Sequence, residues 1–222
     1  MQIMGGTDQA VSAPSNFFPE SSPRLSWLPD ETLFSLCSRL HRLWGHANAG
    51  RTAEILFGAR RAGLQHDFPN RLEQFWRRTD GIYGCVPELA AGRTLLSFYR
   101  PFLPASSVQA AVETIGSESV AHLKFRLGLL TSRFRANHPL KACTDCMDAD
   151  LAKYGWRYWH LAHQYPGVWA CAEHGTFLRE SNIKATGVGR FQWHLPDKGA
   201  LVALPSQATD VSLREALKKW PF

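Results

Sequence analysis

The chain has 222 residues, 45% of them apolar and 12% aromatic, enough to bury a core as one compact domain or two small ones. Its formal charge of +6 points to an anionic partner, with nucleic acid the first candidate. Five cysteines without an apolar signal region argue against a disulfide framework. No apolar run approaches the roughly 20 residues of a spanning helix, so a soluble intracellular protein is expected.

Residues 1–23 lack periodicity and read as a flexible leader. In the next stretch Asp30 is a candidate N-cap and Glu31 suits a positive first turn. Leu33, Leu36, Cys37, Leu40 and Trp44 then recur at helical spacing, with Arg39 and Arg42 off that face and Gly45 as a stop. A second short helix carries Thr52, Ile55, Leu56 and Phe57 and closes at Gly58. Two helices across a short turn, with Arg51, Arg60 and Arg61 nearby, form a helix-turn-helix-like unit, although plain packing explains such pairs as well.

A third helix is expected around Leu72, Phe75 and Trp76, then a turn at Gly81 and Gly84, with Cys85 in the core or on the surface. Thr94 to Pro104 is aromatic, is broken by two prolines, and reads as a short helix or turn. Ser106 or Ser107 can cap a helix through Val108, Val112 and Ile115 to Gly116. Ser117 opens a longer one carrying Val120, Leu123, Leu127, Leu130 and Phe134. No acidic residue lies between Glu118 and Asp145, whereas Lys124, Arg126, Arg133, Arg135 and Lys141 are basic. That stripe is a candidate phosphate-contact surface, the alternative being a solvated helix face.

The most specific signal is Cys143-Thr144-Asp145-Cys146, then 24 residues, then Cys171-Ala172-Glu173-His174. Two pairs with two-residue gaps are what a tetrahedral zinc site takes from a chain, and three thiolates with one imidazole leave no open position. Cys143, Cys146, Cys171 and His174 are therefore candidate ligands of a structural zinc. Asp148–Lys153 should form a short helix stopped by Gly155, and the rings of Trp156 to Tyr165 should surround the metal site. His160 and His163 take packing or hydrogen-bonding roles, since His174 has the better spacing, and Pro166-Gly167 turns the chain back. Beyond Glu180 the pattern fades until a terminal helix from Asp210 through Leu213, Leu217 and Trp220.

The expected fold is mainly α, with an N-terminal helical unit over 24–104 and a basic helix plus Cys-Cys-Cys-His zinc-finger module over 105–180. A C-terminal extension covers 181–222. No phosphate-binding loop, nucleophile elbow or His-Glu-x-x-His helix appears, so an enzyme is the weaker class.

Three phrases in order resemble the TniQ/TnsD family of transposon target-selection proteins. They are Leu28-Pro29-Asp30-Glu31-Thr32-Leu33-Phe34-Ser35, then Tyr99-Arg100-Pro101-Phe102, then the module itself. The module phrase runs Lys141-Ala142-Cys143-Thr144-Asp145-Cys146, Tyr154-Gly155, Tyr158-Trp159 and Cys171-Ala172-Glu173-His174-Gly175. The resemblance covers roughly residues 24–180. Family members commonly carry Pro where this chain has Thr144 and Ala172, positions that shape turns and bind no metal. Many relatives continue into a long C-terminal region, so this chain looks like a compact member.

The resemblance implies an adaptor of the bacterial cytoplasm with no chemistry of its own. It marks the insertion target and recruits an AAA+ ATPase regulator (TnsC-like). Double-stranded DNA is an implied partner, as are a CRISPR RNA-guided effector complex in some relatives and a second copy of the chain. Phosphate contact is expected from Arg126, Arg133, Arg135 and Lys141, with Arg39, Arg42 and Arg51 as further candidates. The alternatives are a protein-only scaffold, a DNA-binding regulator without a transposition role, and a zinc-dependent enzyme.

Overall fold

A computed structural model describes residues 23–129, 139–183 and 191–203. Among them the chain is mainly helical, with α1 (Leu33–Leu43), α2 (Ala49–Phe57), α3 (Leu72–Arg78), α4 (Val86–Arg93) and α5 (Leu96–Tyr99) in the first half. A 3-10 turn, Arg100–Phe102, leads to α6 (Ala105–Gly116) and α7 (Leu123–Arg126). Then come β1 (Lys141–Ala142), α8 (Thr144–Tyr154), α9 (Leu161–Gln164), β2 (Arg179–Ser181) and β3 (Leu201–Ala203). The expected leader, except Pro23, and the terminal helix from Asp210 lie outside the described residues, as do Leu130 and Phe134.

Helix α1 buries Leu33, Leu36, Cys37 and Leu40, as the i, i+3, i+4, i+7 pattern requires. Its cap differs from the expectation. Thr32 is the N-cap, its Oγ1 accepting from the Ser35 amide at 3.1 Å. Asp30 has a positive φ of 53° and works across the fold instead. Its carbonyl accepts from the Leu161 amide at 2.6 Å and its Oδ2 from the Ala162 amide at 3.0 Å. Glu31 is fully buried and pairs with Arg39 at 2.8 Å.

Helix α2 ends at a left-handed Gly58, and α3 buries Leu72 and Phe75 while Trp76 stays 40% exposed. Helix α4 was not expected; exposed Cys85 is its N-cap, and Leu89 and Ala90 are its buried residues. Helix α6 starts at Ala105, right after Pro104, so neither Ser106 nor Ser107 caps it.

The long helix expected from Ser117 is a second correction. Ser117 is extended, and its carbonyl accepts from the Arg71 amide at 2.7 Å, while that of Glu118 accepts from Asn70 Nδ2 at 2.6 Å. Those carbonyls are taken by tertiary partners, so the helix starts only after a left-handed His122 and lasts four residues.

The apolar core joins α1–α4 and α6 to Leu123, Leu140, Ala142, Met147, Trp159, Trp193 and Leu201. It therefore runs across residues 104/105 and 180/181. Trp193 donates Nε1–H to the Ala49 carbonyl at 3.1 Å and stacks on Phe57, so the stretch around Trp193 packs onto the helices. The three strands form one antiparallel sheet in the order β1-β2-β3, with Ala142 opposite Arg179 and Ser181 opposite Leu201. None of the strands was expected from the sequence.

Candidate metal centre

The first ligand pair sits at the start of α8. Cys143 is the N-cap in extended conformation and Cys146 lies one turn later, so both sulfurs leave the helix on one side. Helix α8 begins four residues before the expected Asp148, and Gly155 ends it in the left-handed region with φ 73°. The amide-rich helix start and its dipole favour thiolates there.

The second pair sits in a tight hairpin. Ala170 and Phe177 bridge, the Cys171 amide donates to the Thr176 carbonyl at 2.8 Å, and the Gly175 amide to the Cys171 carbonyl at 2.8 Å. Gly175 makes the reversal with φ 62°, a conformation that costs little only without a Cβ. Pairing of β1 with β2 then brings the two ligand pairs together, because β1 leads into Cys143 and β2 leaves the hairpin.

All four donor atoms lie within 4.8 Å of one another. Cys143 Sγ is 3.7 Å from His174 Nδ1, Cys146 Sγ is 3.3 Å from it, and Cys171 Sγ is 3.6 Å from it. Cys146 and Cys171 sulfurs are 3.5 Å apart. Bonds of about 2.3 Å to sulfur and about 2.0 Å to nitrogen give tetrahedral edges of about 3.5–3.8 Å. The donor set and its spacing therefore fit a four-coordinate metal ion closely.

Three thiols at this distance cannot titrate independently. Hydrogen bonds from Cys146 and Cys171 hold the Cys143 thiol down, whereas those with Cys143 and Cys171 push Cys146 up. A divalent cation held there would resolve the conflict by favouring all three thiolates.

Around the donors, Thr176 Oγ1 lies 3.2 Å from Cys143 Sγ and donates to Asp145 Oδ2 at 3.1 Å. Thr176 was not singled out from the sequence, and no spacing rule points to it. The small apolar company of the site is Leu178 with half-buried Val168. This corrects the expectation for Trp156 to Tyr165. Trp159 lies in the main core, donating its amide to Ser35 Oγ at 3.0 Å, and Tyr158 stacks on His160 at 4.3 Å. The aromatic run docks the metal module onto α1.

Neither spare histidine joins the four donors. His160 Nε2 meets Asp150 Oδ2 at 2.7 Å. His163 is buried 4.0 Å from Cys146 Sγ, and burial pushes it down to about 3, so its ring is neutral.

The basic residues divide. Arg42 and Arg51 are exposed at the end of α1 and in α2, and Arg51 lies 3.5 Å from Glu54. Arg126 is exposed on α7 and donates to Thr114 Oγ1 at 2.7 Å. Arg133 and Arg135 fall outside the described residues.

Arg39 and Lys141 are corrections to the phosphate-contact set, because both are buried. Arg39 donates to Glu31 and to the Ser26 carbonyl at 3.2 Å, and lies over the Trp156 ring at 5.4 Å, which covers the side of α1 expected to face solvent. Lys141 Nζ donates to the carbonyls of Val168 at 2.6 Å and Tyr165 at 3.0 Å. Burial lowers it to about 8.

No helix among the described residues is long and apolar enough to cross a membrane. Over 151 residues the chain is 22% identical to the Transposon Tn7 transposition protein TnsD of Escherichia coli, an overlap of 67% of this chain and 30% of that protein. It thus spans about 30% of that relative's length. The profile of the TniQ family matches residues 22–178, from the start of the described helical unit through the hairpin that carries the second ligand pair. With most of its length matched, the chain belongs to the TniQ family.

Proposed function

We propose that this chain is a target-selection adaptor of transposition, which holds a target on one surface and an AAA+ ATPase regulator on another. The observation that carries the reading is the family match over residues 22–178, which takes in the α1 phrase and the metal module together. The named role of the relative, transposition, points the same way. The metal is zinc, held by Cys143, Cys146, Cys171 and His174, and its part is to fix geometry. Four protein donors at tetrahedral spacing leave no position at which water or substrate could be activated, so the chain does no metal chemistry.

Duplex DNA is the target we favour, contacted through exposed Arg42, Arg51 and Arg126, with Arg133 and Arg135 following Arg126 in sequence. The test is reconstitution with the ATPase encoded next to this chain. The adaptor should load that ATPase onto DNA, and duplex binding by the adaptor should weaken steeply between about 50 and 200 mM salt. Loading that is the same with and without the adaptor contradicts the proposal. Replacing free DNA by a target-bound RNA-guided complex separates direct from guided targeting.

One observation favours a second reading, a protein-only scaffold. Arg39 and Lys141 serve internal partners, which shrinks the available basic surface. Absence of duplex binding at low salt, with ATPase binding retained, selects the scaffold.

A further inference from the structure

Where α1 hands over to α2, two imidazoles meet one hydroxyl. His41 Nδ1 lies 2.6 Å from Thr52 Oγ1, and His46 Nδ1 lies 2.8 Å from the same oxygen. Thr52 is fully buried, whereas both rings are half-buried and the His46 ring rests against Trp44 at 5.6 Å. Among the described residues neither Nε2 has a protein partner or is sealed from solvent.

This geometry fixes the proton count. Thr52 Oγ1 has one proton to give and its partners within the chain are the two rings, so it donates to one Nδ1 and accepts from the other. A neutral ring carries a single N–H. The ring that accepts at Nδ1 therefore shows an N–H at Nε2, and the ring that donates from Nδ1 shows a bare lone pair there. The neutral cluster offers the outside one donor and one acceptor. One added proton, on the bare Nε2, makes both outer edges donors and leaves both inner hydrogen bonds intact. A second would have to break the bond from Thr52.

The surroundings select what comes to those edges. No acidic residue lies between Glu31 and Glu54, a stretch that carries Arg39, His41, Arg42, His46 and Arg51. Arg39 is buried on Glu31, and Glu54, the one carboxylate of α2, lies 3.5 Å from Arg51. From α3, Arg78 reaches the Ile55 carbonyl at 3.4 Å. Burial and the neighbouring ring hold His41 below its ordinary 6.5, and burial and Arg51 do the same for His46, so both rings are neutral at pH 7 and above.

We propose that His41 and His46 join Arg42 and Arg51 as phosphate contacts for duplex DNA, and that the pair takes up one proton when the duplex binds. Phosphate oxygens only accept hydrogen bonds, so the bare Nε2 repels them until it is protonated. The charge gained is then offset by the polyanion. This rests on the duplex reading above and adds to it a dependence on pH that arginine contacts alone would not give.

The test is titration of the full chain, metal bound, with a short DNA duplex at low salt, by calorimetry in two buffers of different ionisation enthalpy. The difference in heat between the buffers reads the protons taken up. About one proton per bound chain is expected near pH 7.5, and affinity should fall about tenfold from pH 7 to pH 8. His41→Gln combined with His46→Gln should abolish the uptake and leave a weaker, pH-independent affinity from the arginines. Thr52→Val is the sharper variant. Without the hydroxyl both rings can carry their proton at Nε2, so binding at pH 8 should be severalfold tighter than in the parent protein and its pH slope shallower. Damage to the fold would not produce that outcome.

Duplex binding without proton uptake, or uptake that persists in the double histidine variant, would overturn the inference and leave the duplex reading standing. No duplex binding at any pH would contradict the duplex reading itself, and the inference with it.

Discussion

The two halves of this molecule are held together by different physics. The helical unit built on α1–α6 has an ordinary core: Leu36, Leu40, Leu56, Phe57, Leu72 and Phe75 are all completely buried. The metal module has almost none of its own, only Leu178 and half-buried Val168 beside its three cysteines. The first resists loss of any one side chain by sharing the load across many contacts. In the second, the four donor atoms that could hold a metal ion lie where the first has its apolar core. Between them runs a zipper in which residues 30–32 pair with 159–162 and Trp159 enters the core of the first half.

The largest expected effect is on the donors. Structural zinc contributes on the order of 10 kcal/mol, comparable to the stability of a whole domain. Cys171→Ser should therefore abolish metal binding and hydrogen-exchange protection in α8 and the hairpin, while α1–α3 stay protected. Loss of protection throughout the chain would show that the helical unit depends on the metal as well.

Trp159→Ala attacks the zipper and should cost about 3–5 kcal/mol, the range for removing a buried large aromatic. Metal content should be unchanged, because Trp159 lies in the main core away from the donors. Thr32→Ala removes the α1 cap and should cost about 1 kcal/mol in denaturant titration, with no effect on the metal.

The smallest effect is one of pH. His194 sits in the same cluster, edge-on to Trp159 at 5.6 Å, and burial lowers it to about 4 from 6.5. Between those values the unfolded chain takes up a proton that the folded chain refuses, so stability falls as pH drops through the window. His194→Gln should make the fall between pH 6.5 and 4.5 shallower than in the parent protein, read as the difference between their melting curves. Identical pH profiles would mean that His194 is not kept neutral.

How much of this was legible in the sequence depended on the range of the interaction. The α1 face and the Cys-x-x-Cys and Cys-x-x-His pairs are local patterns, and they emerged with the right residues. Asp30, Arg39 and Ser117 were misread because their partners lie across the fold. A local rule makes Asp30 a cap, Arg39 a surface charge and Ser117 a helix start. The structure instead gives Asp30 to Ala162, covers Arg39 with Trp156, and lends the Ser117 carbonyl to Arg71. The two- and three-residue strands carried no period to read, since pairing with distant residues defines them. The four-donor cluster was legible for the opposite reason: coordination chemistry imposes short spacings that burial does not.

The central claim is that the four-donor cluster is a closed clasp and the working surfaces lie around it. Zinc K-edge X-ray absorption on the purified protein tests this most directly. The account predicts one zinc per chain with three sulfurs at about 2.3 Å and one nitrogen at about 2.0 Å, and no oxygen in the shell. A bound water, or fewer than three sulfurs, would contradict it and reopen the site to chemistry.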